Sequence, residues 1–199
     1  MITTTLGRYR APLAISVVVA ILASVITVVT AGSASAAGAP LSVSQSAPAT
    51  ALLGEAIPVS LTLSNPPTLG AVDQYNASFR YVLPAGVTFK TGSSAPASAG
   101  APRIINGPGV GETTLLWSNL ADLPVGTSYR LSFSIIPDGV ILPVGSVIDL
   151  AGEGFASTDP RRVPKFDASG VPIADPVVAQ VQAPVNSVQL SAIAVSKSE

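Results

Sequence analysis

Residues 128–135 read SYRLSFSI. Tyr129, Leu131, Phe133 and Ile135 fall on one side of an extended chain, and Ser128, Arg130, Ser132 and Ser134 on the other. Side chains alternate across a strand, so this is the pattern of a strand with one face in a core and one in water. Ile57 to Leu63 repeats it, with Val59, Leu61 and Leu63 set against Ser60, Thr62 and Ser64. Phe79, Tyr81 and Leu83 form a third row, with Arg80 and Val82 opposite. Further strands are expected over 41–46, 87–91, 113–118, 146–155, 177–182 and 188–195. Proline- and glycine-bearing turns fall between them, at Asn65-Pro66-Pro67, Leu83 to Gly86, Gly107 to Gly109, Leu123 to Gly126 and Leu142 to Gly145. Such residues punctuate strands and do not sit inside them. About 8–10 strands with no long helical period predict one antiparallel β-sandwich, preferred over a barrel because the strand spacing is uneven.

Ahead of the strands stands a leader. Residues 1–10 carry Arg8 and Arg10 and no acid; 13–29 are uncharged and apolar; small residues follow. This order predicts a secretory signal peptide over 1–36, a hydrophobic signal helix with its cleavage box at Ala34-Ser35-Ala36. The apolar run also reaches the short edge of a spanning helix, so an uncleaved anchor is the alternative. Membrane contact is expected through this segment alone, and the product is expected outside the cell or on its surface.

Composition excludes much chemistry. The chain of 199 residues has no cysteine and no histidine, and only 11% of it is charged. That leaves no thiol nucleophile, imidazole base, disulfide framework or ordinary zinc site. A net charge of −1 lacks the basic face that nucleic acid requires. No cofactor is expected. Asp159, Asp167 and Asp175 are too widely spaced for a dense calcium loop. Glu112 and Glu153 are the remaining candidates for a carboxylate pair, with nothing local to support them. Asn76-Ala77-Ser78 is a glycosylation sequon. Trp117, in phase with Leu115, is expected in the core. The small-residue stretch 92–102 is expected to be a loop that packs no core. The charged, proline-rich stretch 159–176 is expected to be a solvated crossover, with a binding loop as its functional alternative.

Three stretches occur in a recognisable order: GEAIPVSLTLSNP (Gly54 to Pro66), YVLPAGVTF (Tyr81 to Phe89) and LLWSNLADLPVGTSYRLSFSI (Leu115 to Ile135). Over about residues 41–155 the chain resembles a tandem immunoglobulin-like repeat of bacterial surface proteins. That repeat is related to the isopeptide-forming domains of fimbrial and adhesin shafts. The resemblance implies an immunoglobulin-like sandwich over 37–190. It also implies a first-strand lysine and a late-strand asparagine as crosslinking positions. Gln45 stands at the lysine position, and Asp149, in VIDLA (Val147 to Ala151), at the asparagine position. Glutamine has no nucleophilic amine, so no intradomain isopeptide is expected. Gln45 shares a strand face with Leu41 and Val43, which points it inward. For Asp149 either phase is open, depending on whether Ile148 and Leu150 form the buried row.

The end of the chain, IAVSKSE (Ile193 to Glu199), is similar to LSVSQSA (Leu41 to Ala47), with Lys197 where Gln45 stands. Residues 191–199 are therefore expected to be a linker or the first strand of a following repeat, with Lys197 as its crosslinking lysine. The alternative is a final strand that happens to end so. The resulting expectation is a non-enzymatic stalk or adhesion module, the N-terminal part of a longer surface protein. Its partners would be other surface-protein domains or host and envelope components. A secreted carbohydrate- or ligand-binding module is the rival.

Overall fold

The computed structural model describes residues 41–192. The signal-peptide reading, with Ala34 and Ala36, and Lys197 all fall outside the described residues. The described chain carries eleven strands and one short 3-10 turn, Ala97–Ala99. The strands are β1 (Ser42–Ser46), β2 (Thr50–Leu52), β3 (Ile57–Ser64), β4 (Tyr75–Leu83), β5 (Val87–Phe89), β6 (Arg103–Asn106), β7 (Thr113–Trp117), β8 (Ser128–Pro137), β9 (Val147–Ser157), β10 (Val178–Gln182) and β11 (Asn186–Ser191).

They form two sheets. The smaller runs β1-β3-β8-β5; the larger runs β2-β11-β9-β4-β7-β6, with β10 continuing the β11 side of β9. The alternating rows meet between the sheets. Val59, Leu61, Leu63, Leu131, Phe133 and Ile135 come from one side, and Phe79, Tyr81, Leu83, Leu115 and Trp117 from the other. Aromatic contacts bind the layers: Tyr81 meets Phe133 edge-on at 5.0 Å between centroids, and Trp117 meets it tilted at 4.9 Å. On β9 the sheets approach closely enough that only glycine fits. A Cβ at Gly152 would stand 2.6 Å from Leu61 Cδ2, and one at Gly154 2.7 Å from Leu63 Cδ1.

Three expectations need correction. The sandwich is not wholly antiparallel, because β2 pairs with β11 in parallel. The cause is that the first segment crosses from one sheet to the other after β1 without reversing. The stretch 92–102 does take part in packing. Ala95 exchanges backbone hydrogen bonds with Ser132 at 2.8 Å each way, Ser94 Oγ accepts from Trp117 Nε1 at 3.3 Å, and Pro102 is buried. The crossover 159–176 is not simply solvated either. Pro164 and Gly170 are buried against the outer face of the larger sheet, and Phe166 meets Phe155 edge-on at 5.1 Å.

Candidate functional site

The pleat of β1 sends Gln45 toward the interior. Its Nε2 donates to the Leu150 carbonyl oxygen at 2.9 Å and to Asn186 Oδ1 at 3.1 Å. Gln45 belongs to the smaller sheet, whereas Leu150 (β9) and Asn186 (β11) belong to the larger. One side chain therefore ties the two layers. Its Oε1 is buried with no hydrogen-bond partner among the described residues. On β9 the buried row is Ile148 and Leu150, so Asp149 is exposed and accepts from Ser187 Oγ at 2.6 Å. The structure thus brings Gln45 to Asn186 and leaves Asp149 on the outside. An amide facing an amide offers a hydrogen bond but no nucleophile.

A second polar cluster lies on the outer face of the larger sheet. Arg80 and Glu153 sit opposite each other on β4 and β9, with Arg80 Nη1 2.7 Å from Glu153 Oε2. Glu153 Oε1 accepts from Gln180 Nε2 at 3.1 Å and Gln182 Nε2 at 3.0 Å, both on β10. Arg80 Nε donates to the Gly170 carbonyl at 2.6 Å, which fastens the crossover to the sheet. Both side chains are nearly buried, at 12% and 11% exposure. A pair so withdrawn from water holds only when the remaining lone pairs and protons are used, as they are here. Both Glu153 oxygens are committed to bonds within the fold. Glu112 caps the β6–β7 turn instead, accepting from the Gly109 N–H at 2.8 Å, and is not brought to Glu153.

The other candidates are similarly occupied. Asp159 Oδ1 accepts from the Arg161 N–H. Asp175 accepts from the Val177 N–H and lies 3.7 Å from Arg162. Asp167 Oδ1 takes the Ser169 hydroxyl at 2.8 Å and the N–H groups of Ser169 and Val171 at 2.9 Å. The Ser169 hydroxyl first, and then the Val171 N–H, hold the Asp167 carboxyl below the usual range for an aspartate. Asn76 of the sequon is buried at a bulge in β4, with φ at 59°, and its Nδ2 donates to the Pro160 and Arg162 carbonyls. No route remains there for a glycan. Trp117 is 2% exposed.

A cleft of about 590 Å³ opens between the β6–β7 edge and the crossover. Leu116, Phe166 and Ile173 supply apolar lining, and Arg103 and Lys165 supply two exposed cations. The sequence does not reveal this cleft, because residues from three separate stretches meet there.

No family model matches the chain, and no curated protein matches it. Among solved structures it is similar to AvmM, described as catalysing macrocyclization in alchivemycin A biosynthesis. The identity is 14% and the TM-score 0.42, over 81% of this chain and 94% of that one. It is similar to BcpA, the major pilin subunit of Bacillus cereus, at 7% identity and a TM-score of 0.42, over 75% of this chain and 40% of the pilin. It is also similar to the major pilin SpaD of Corynebacterium diphtheriae, at 9% and 0.45, over 74% of this chain and 34% of the pilin. The chain thus spans between a third and two fifths of either pilin. Likeness at these scores transfers no activity from any of the three.

Proposed function

We propose that the chain is an exported, non-enzymatic surface module, a stalk or adhesion spacer that forms the N-terminal part of a longer protein. One observation carries the reading. β1 starts beside Ser64 at one end of the sandwich, and β11, antiparallel to β9, runs to the opposite end, where Ser191 lies beside Leu52. A domain entered at one end and left at the other adds its length to a series of modules. The carboxylates that could act as acid, base or metal ligand are spent on turns and on the Arg80–Glu153 pair, which suits a structural role. Partners on this reading are neighbouring surface-protein domains or envelope components. Antibody labelling of intact cells expressing the full chain tests it. Labelling without permeabilisation is expected, and signal confined to permeabilised cells would refute it.

The cleft beside Arg103 and Lys165 favours a second reading, a secreted ligand-binding module. Its apolar lining and paired cations suit an anionic ligand. Against it, no aromatic side chain is exposed among the described residues, so no stacking row for sugars is presented. Glycan-array binding that is lost in Arg103→Ala and Lys165→Ala would move the balance to this reading.

A further inference from the structure

The first segment of the fold changes sheets without changing direction. β1 pairs with β3 in the smaller sheet; after three intervening residues the same chain becomes β2 in the larger sheet, parallel to β11. Thr50 lies opposite Gln189, Ala51 opposite Leu190, and Leu52 opposite Ser191. Backbone bonds close both ends of this short pairing. The Gln189 N–H donates to the Ala49 carbonyl at 2.9 Å, and the Leu53 N–H to the Ser191 carbonyl at 3.1 Å. Ser191 Oγ adds a bond to the Ala51 carbonyl at 3.2 Å. Upstream, Gln45 ties the same segment to β9 and β11.

Tension between the two ends of the sandwich draws β2 toward one end and β11 toward the other. Ladder bonds bridge from strand to strand, so this pull loads every bond of the pairing together, in shear. A pull that separates the strands from their common end would part them one bond at a time. We propose that the β2–β11 pairing, with Gln45, is a shear clamp that makes the domain resist unfolding when it is stretched end to end. Its use rests on the stalk reading, but its geometry does not.

The chain has no cysteine, so introduced pairs give unique handles for optical tweezers. Ser42→Cys with Ala192→Cys, introduced into the full chain, stretches the sandwich end to end. Glu55→Cys with Ala192→Cys peels β2 from β11 at their shared end. At equal force, end-to-end unfolding is expected to be slower by about tenfold or more, because several hydrogen bonds must fail together. Leu53→Pro, which removes one clamp donor, should unfold end to end several-fold faster than Leu53→Ala, which removes only the side chain. Equal rates in the two geometries overturn the clamp, even if Leu53→Pro fails to fold. A Leu53→Pro rate matching that of Leu53→Ala overturns it too. Neither outcome alters surface labelling of cells, so clamp and stalk fail separately.

Discussion

Gln45 of the smaller sheet lies within hydrogen-bond reach of Asn186 on the last strand of the larger, its Nε2 3.1 Å from Asn186 Oδ1. A long side chain spanning two layers exchanges rotamer freedom for a fixed distance between them. That exchange suits a domain held by packing. Gln45→Ala leaves the Leu150 carbonyl and Asn186 without this donor. The expected cost is about 1–3 kcal/mol in urea unfolding with the slope m unchanged. A loss below a few tenths would mean that the tie adds nothing.

Arg80 and Glu153 are to be treated as one unit. Arg80→Met leaves a nearly buried carboxylate without its cation and frees the crossover from its bond at Gly170. A destabilisation of about 3–5 kcal/mol is expected. Faster amide hydrogen exchange in residues 165–173 should accompany it. Exchange that rises only elsewhere would separate the pair from the crossover.

Tyr81 presents the reverse case. Its ring is fully buried and its hydroxyl has no hydrogen-bond partner among the described residues. An unpaired buried hydroxyl costs about 1–3 kcal/mol, so Tyr81→Phe should raise stability by about 1 kcal/mol. Burial also pushes the Tyr81 hydroxyl well above the ordinary tyrosine range. A group whose pKa is raised by folding stabilises below its unfolded value, and that contribution falls as pH rises past about 10. Wild type should therefore lose stability in strong alkali more steeply than Tyr81→Phe, as read by unfolding midpoints across pH 9–12. Parallel curves would contradict this.

Asp167 behaves oppositely. Its carboxyl is held low, so its contribution is present above the unfolded aspartate pKa and disappears as pH falls through the lower folded value. Carboxyl NMR titration should find Asp167 ionising below the ordinary aspartate value, and Ser169→Ala should move it upward. No movement in Ser169→Ala would assign the shift to another cause.

The parts of the fold legible in the sequence are those where one face meets the core and the other meets water. Ile57–Leu63 and Ser128–Ile135 alternate because β3 and β8 lie in a sheet whose outer side is uncovered enough to keep serine and arginine. β9 alternates only over its first half. Beyond Ala151 it is buried on both faces, because the crossover closes over its outer face, and the period disappears. β2 and β6 span only three and four residues, too few for a period to show. For the tie, the inward direction of Gln45 follows from the phase of β1. Its partner Asn186 does not, because that contact depends on where the last strand lies in space, 141 residues away. The Arg80–Glu153 cluster was hidden for the same reason. Two charges on strands distant in sequence look like surface residues until a crossover covers them.

An exported module held together without covalent crosslinks has a defined mass. Intact-mass measurement of the protein recovered from outside the cells tests this most directly. The expected species is a chain beginning at Ala37, cut after Ala36, with no loss of ammonia from its mature mass. A mass beginning at Met1, or one lighter by a single ammonia, would contradict it.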